Sequence, residues 1–191
     1  MMLKRRIARI ISELSNGFLT MILTPVIGIC VSSLDTFSKL ILSLAYLLSS
    51  ILPYFVLKAF GRVSDYEFTK REERPLYFTT ISILFGIIFL YSTTLDTQLV
   101  TNITLNIFLA TTAMTTVTFF WKISGHMTYS TLLFLTLIYL FPENPNLFLL
   151  FLTTPFIGWS RIALKKHTLS QVTVATLLTA IISIFIYWPF C

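Results

Sequence analysis

Charge is scarce in this sequence. Of its 191 residues only 12% are charged, roughly half the share found in soluble domains, while 55% are hydrophobic and the mean hydropathy is +0.83. That balance excludes an ordinary soluble globular fold. Cysteine is equally sparse: Cys30 lies inside an apolar run and Cys191 at the last position, so no spacing suggests a disulfide framework or a thiolate metal site, and both read as structural bystanders. There are two histidines, and no aspartate follows Asp96. No small-residue cleavage pattern follows the first apolar run, so a removed signal peptide is not expected. Internal repeats and low-complexity segments are also lacking.

What is present is a series of long apolar runs without period-2 alternation. In lipid every backbone polar group must be satisfied within the chain, which leaves helices or a closed barrel, and the lack of alternation selects helices. The expected fold is an all-α, polytopic transmembrane helical bundle forming a single membrane-embedded domain over residues 1–191. At about 20 residues per span the length allows six or seven spans. They are placed near Phe18–Leu34, Leu40–Phe60, Leu76–Tyr91, Leu99–Phe120, Met127–Phe141, Leu147–Trp159 and Leu169–Phe190. Pro25 and Pro53 fall inside the first two, and Pro75 suits the first turn of the third, where no amide donor is needed. In the fourth, the threonine-rich run TTAMTTVTFF suits helix packing through small polar side chains. Ahead of the spans, residues 1–16 read as an interfacial amphipathic segment. Ile7, Ile10, Ile11, Leu14 and Phe18 recur at helical spacing, largely apart from Arg5, Arg6 and Arg9.

The net charge of +6 is confined to short islands between apolar runs rather than spread over a solvated face. Nucleic acid is therefore not the expected partner; anionic lipid or phosphate is. The islands are TKREERP (Thr69–Pro75), WKISGH (Trp121–His126) and SRIALKKHTLSQ (Ser160–Gln171), and two expected spans separate each from the next. They would share one side, together with Lys4, Arg5, Arg6 and Arg9, while Asp35, Asp96 and Glu143 lie opposite with Lys39. The positive-inside rule makes the basic side cytoplasmic. Arg62, Lys165 and Lys166 need no further role than this.

Both histidines lie in these islands, His126 after Ser124 and Gly125, and His167 six residues after Arg161. Arginine offers a planar fork that matches phosphate oxygens, lysine a point charge, and a glycine beside a histidine lets backbone amides approach an oxyanion. Phosphoryl transfer needs a nucleophile, an acid for the leaving oxygen and fixed cations around phosphorus. Two histidines and several cations suffice; no metal-ligand cluster or cofactor motif is evident.

Three segments in order, ERP at Glu73–Pro75, ISGH at Ile123–His126 and SRIALKKH at Ser160–His167, resemble the motifs of the type 2 phosphatidic acid phosphatase superfamily, which includes the vanadium haloperoxidases: Lys-x6-Arg-Pro, Pro-Ser-Gly-His and Ser-Arg-x5-His-x3-Asp. The resemblance implies an integral-membrane phosphatase, independent of metal, acting on a lipid phosphate or polyprenyl diphosphate. It makes His167 the nucleophile that forms a phosphohistidine and His126 the general acid. Arg74 and Arg161 would bind phosphate oxygens, with Ser124 and the Gly125 amide donating hydrogen bonds. The sequence departs from the motifs at three places. Glu67 stands where the family has lysine, so Lys70 or Arg71 is expected to substitute. Ile123 replaces proline. Gln171 replaces the aspartate that orients the nucleophile; its carbonyl can fix the histidine tautomer but adds no negative charge, which predicts weakened catalysis unless Asp65, Glu67 or Glu72 reaches the site from the first island.

Two other readings remain at this point. One is a catalytically weak or inactive relative that binds or transports anionic lipid, with Gln171 as the mark of lost turnover. The other is an intramembrane prenyltransferase, because SDYEFTKREERPL resembles Asp-rich segments that hold diphosphate through magnesium. That chemistry needs a second Asp-rich segment, and none follows Asp96. Oligomeric state is not encoded in any recognisable pattern.

Overall fold

The computed structural model describes residues 2–190; Cys191 lies outside them. Among these residues there is no strand, and the α-helices in chain order are α1 (Met2–Leu14), α2 (Gly17–Val31), α3 (Thr36–Ala59), α4 (Arg74–Ser92), α5 (Gln98–Phe120), α6 (Gly125–Leu140), α7 (Thr154–Ala163) and α8 (Leu169–Tyr187). Short 3₁₀ turns precede α4 (Arg71–Glu73) and follow α8 (Trp188–Phe190), and a longer 3₁₀ stretch, Pro145–Thr153, runs directly into α7. Five helices are long and apolar enough to cross a membrane: Met2–Val31, counted through the break at residues 15–16, Thr36–Ala59, Arg71–Ser92, Gln98–Phe120 and Leu169–Tyr187.

The expected span positions fall on α2 through α8, but those expected at Met127–Phe141 and Leu147–Trp159 are not among the five, being short as α-helices, and the latter also differs in kind. Where the sixth span is expected, the chain is half 3₁₀ and half α-helix. A 3₁₀ helix rises about 2.0 Å per residue against about 1.5 Å for an α-helix, so Pro145–Ala163 covers roughly 33 Å with few residues. The 16 residues of α6 give about 24 Å, short of a hydrocarbon core of about 30 Å.

The helix ends follow local chemistry. The Asp35 carboxylate accepts the Phe37 amide at 2.9 Å and the Ser38 amide at 3.1 Å to cap α3. The hydrogen bonds from Ser38, side chain first and then amide, hold the Asp35 pKa below its ordinary 3.8. Pro75 sits in the first turn of α4, as its ring predicts. At the C-terminus of α3, Gly61 takes φ +66° and the Arg62 amide returns to Leu57 O at 2.8 Å. α7 closes in the same way, the Lys166 amide reaching Arg161 O at 2.9 Å, but the left-handed residue is Lys165 at φ +58°. A side chain in that conformation costs roughly 1–2 kcal/mol that glycine avoids.

The chain forms two compact units, residues 25–121 and the remainder, with the first boundary inside α2 at Pro25. In the unit of residues 25–121, α4 packs along α5 and α3 along α4. The buried face of α5 carries Thr111, Thr115 and Thr118, and Thr115 shares a hydrogen bond with Ser82 of α4 at 3.0 Å. Nearby, Ser92 and Thr104 are 2.6 Å apart. Small polar residues join these helices, the packing expected of the threonine-rich run. Tyr77 donates to Ser50 O at 2.9 Å and stacks on buried Phe68 with centroids 4.3 Å apart.

In the other unit α1 lies along α7, and α6 along α8 with the 3₁₀ stretch and α7 against it. A hydrogen bond of 2.9 Å joins Thr136 to Tyr187, and Tyr139 stacks on Tyr187 at 4.2 Å. Two glycines permit close approach. A Cβ on Gly158 would stand 2.7 Å from Val172 Cγ1, and one on Gly17 would stand 3.0–3.1 Å from the backbone of Gly125 and His126. α1 has three faces. Ala8 and Ser12 are buried, Lys4, Arg5, Arg6 and Arg9 are exposed, and Leu3, Ile7, Ile10 and Leu14 form an exposed apolar stripe. The apolar stripe and the basic residues thus occupy separate parts of the helix. The small-residue face meets α7.

Candidate functional site

Among the described residues Arg161 is the largest fully buried side chain, with 2% of its surface exposed. It is placed by the last turn of α7, two residues before the helix ends. Its Nη1 donates a short hydrogen bond to Ser12 Oγ of α1 and lies 3.2 Å from His126 Nε2 of α6. A guanidinium has donors only. His126 Nε2 therefore accepts, and its ring in the neutral form carries the proton on Nδ1. Three helices distant in sequence thus meet at one cation.

His126 itself is fixed from two directions. Ser124 is fully buried and caps α6, its Oγ accepting the Met127 amide at 3.5 Å, while Gly17 of α2 presses on the Gly125–His126 peptide. Ser124 was expected as a donor to phosphate; its oxygen is used to cap the helix, and its O–H proton is retained. Ile123, in the place of a proline, is completely buried.

His167 lies just before α8 and pairs with Gln171, its Nδ1 at 3.1 Å from Gln171 Oε1. The same oxygen accepts the Thr168 amide at 3.1 Å, while Thr168 Oγ1 accepts the Gln171 amide, completing a capping box. The Thr168 amide can only donate, so the Gln171 atom facing it is the carbonyl oxygen. That oxygen can only accept, so His167 Nδ1 bears the proton, and in the neutral ring the lone pair is on Nε2. Gln171 Oε1 is thus shared between the His167 ring and the Thr168 amide.

Arg74, Lys70 and Arg71 belong to the unit of residues 25–121. Arg74 opens α4, is 3% exposed and has its guanidinium carbon 5.4 Å from the Phe78 ring centroid. Lys70 forms a 3.6 Å ion pair with Glu73, and Arg71 donates to Phe120 O at 2.9 Å. Glu73 in turn accepts from Ser64 N and Oγ, each at 2.9 Å. Asp65 accepts the amides of Glu67 and Thr69. These acids hold their own loop. Among the described residues no group of three or more His, Cys, Asp or Glu side chains comes together, so no metal ligands are assigned.

Sequence reasoning missed Ser12 and Gly17. Ser12 is one polar residue in an amphipathic helix, 149 positions from Arg161, and the only available signal was its spacing of four from Ala8, giving a small-residue face. No protein-family model, no curated protein and no solved structure matches the chain.

Proposed function

We propose that this protein is an integral-membrane phosphatase that hydrolyses a lipid phosphate or polyprenyl diphosphate through a phosphohistidine, as a divergent member of the type 2 phosphatidic acid phosphatase superfamily. The observation that carries this reading is the His167–Gln171 hydrogen bond, which leaves the nucleophilic lone pair on His167 Nε2. In the first step Nε2 attacks phosphorus, the P–O bond to the lipid alkoxide breaks, and His126 gives the alkoxide a proton. In the second, water attacks the phosphohistidine, His126 takes its proton, and His167 is released with inorganic phosphate.

Arg161 supports the reading because it is buried, fixed and next to His126. Substrate would have to draw its guanidinium from His126 Nε2 toward phosphate oxygens, which frees that nitrogen to carry the acid proton. For Arg74, Lys70 and Arg71 the motif is the sole warrant. Gln171 orients His167 without a carboxylate's charge, so turnover is expected to be slow.

The same reading takes α2 to α8 as seven spans, with Pro145–Ala163 counted as one and the short α6 crossing where the bilayer thins around it, and puts the basic islands on the cytoplasmic side. Protease protection of tags placed after Pro142 and after Lys166 tests that orientation. The activity is tested by metal-free phosphate release from lipid phosphates and polyprenyl diphosphates, with His167→Ala as control. A second reading, binding of anionic lipid without turnover, is favoured by the engagement of Arg161 with Ser12 and His126. Tight binding of a phosphate analogue with no phosphate release would establish it.

A further inference from the structure

A cavity of about 380 Å³ lies between the start of α1 and the end of α7, lined by Lys4, Arg5, Ala163, Leu164 and Lys165. Three of its five lining residues are cations and none is an acid. Lys4 also has its ammonium 6.0 Å from the Trp159 ring centroid. Neither histidine nor Arg161 lines it, so it is separate from the site described above. A helix C-terminus would ordinarily repel an anion through its bare carbonyls. Here the carbonyls of Ser160, Arg161 and Ile162 are taken by the amides of Leu164, Lys166, His167 and Lys165.

The third cation is set by a backbone choice. α3 ends on the same left-handed turn with Gly61, whereas α7 uses Lys165 at φ +58°. A residue kept in that conformation against its steric preference suggests a role for its side chain, and the cavity beside two other cations supplies one. On the same helix as Lys4 and Arg5, the apolar stripe Leu3, Ile7, Ile10 and Leu14 is 70%, 43%, 54% and 78% exposed. Phosphate charge and acyl chains together match this pairing; a free anion would use the cations alone.

We infer that Lys4, Arg5 and Lys165 hold the phosphate headgroup of an anionic phospholipid whose acyl chains lie along the exposed stripe of α1. The site is a binding site distinct from the proposed catalytic one. It stands whether or not the protein hydrolyses its substrate.

The experiment is native mass spectrometry of the full chain in detergent, titrated separately with phosphatidylglycerol, phosphatidylcholine and inorganic phosphate, and repeated on His167→Ala protein. Phosphatidylglycerol is expected to bind at least tenfold more tightly than phosphatidylcholine, with affinity falling about fivefold for each cation removed. Lys4→Gln with Arg5→Gln removes two. Lys165→Gly removes the third while relieving the left-handed backbone, so it should raise the melting temperature as it weakens binding. Equal binding of the two lipids overturns the proposal, as does an unchanged preference in Lys165→Gly. Inorganic phosphate that binds as tightly as phosphatidylglycerol overturns the lipid as its ligand.

Discussion

His167 Nδ1 stands 3.1 Å from Gln171 Oε1, and the Thr168 amide points at the same oxygen from 3.1 Å. One glutamine therefore caps α8 and sets the histidine tautomer. Gln171→Leu removes both acceptor functions and should lower kcat by about 10- to 100-fold. Thr168→Ala removes the cap alone, costing about 1 kcal/mol of stability with kcat retained. Gln171→Glu keeps the acceptor, adds the missing charge and should raise kcat. Steady-state kinetics on the three variants, with thermal unfolding alongside, checks this pattern.

Ser12 ties α1 to buried Arg161. Hydrogen bonds to a charged group contribute about 1.5–3 kcal/mol, and Ser12→Ala should lose that amount in reversible unfolding from mixed micelles. An unchanged midpoint would show that Arg161 is held by its other contacts.

Gly17 packs on the peptide that carries His126. Gly17→Ala inserts a methyl where the nearest backbone atoms are 3.0–3.1 Å away, and neither partner is a flexible side chain. The expected cost is about 1–3 kcal/mol in stability, with a loss of activity because the start of α6 must shift. A fully active variant of unchanged stability would contradict the close approach.

Asp35 caps α3 from the loop before it, and hydrogen bonds from Ser38 lower its pKa below 3.8. A carboxyl whose folded pKa is depressed stabilises fully above its unfolded value and loses that contribution as pH falls through the folded one. Thermal stability should therefore decline below about pH 3.8, and Asp35→Asn should remove this part of the pH dependence while keeping the cap. Melting temperatures between pH 2 and pH 6 decide it.

The helices were legible because apolar runs without period-2 alternation mark them: every expected run except Leu147–Trp159 became an α-helix within a few residues of its expected ends, and among the described residues five helices are long and apolar enough to cross a membrane. The pairing of His167 with Gln171 was suggested by the resemblance, which sets Gln171 in the place of the motif's aspartate; the contact itself forms because Gln171, in the first turn of α8, reaches back to the cap residues just before the helix. Ser12 with Arg161, and Gly17 against His126, depend on α1 and α2 meeting helices more than 100 positions later. No local pattern encodes such contacts, and a serine or glycine in an apolar or amphipathic run has many uses. The 3₁₀ form of Pro145–Thr153 was likewise hidden, because its composition is that of any short span.

The central claim is that His167 carries the phosphoryl group. Rapid acid-free quenching of the purified protein with lipid phosphate labelled on phosphorus, in the presence of a chelator, should trap label on the protein that is stable to alkali and lost in acid, and His167→Ala should trap none. Phosphate release without such label, or label that persists in His167→Ala, would contradict the account.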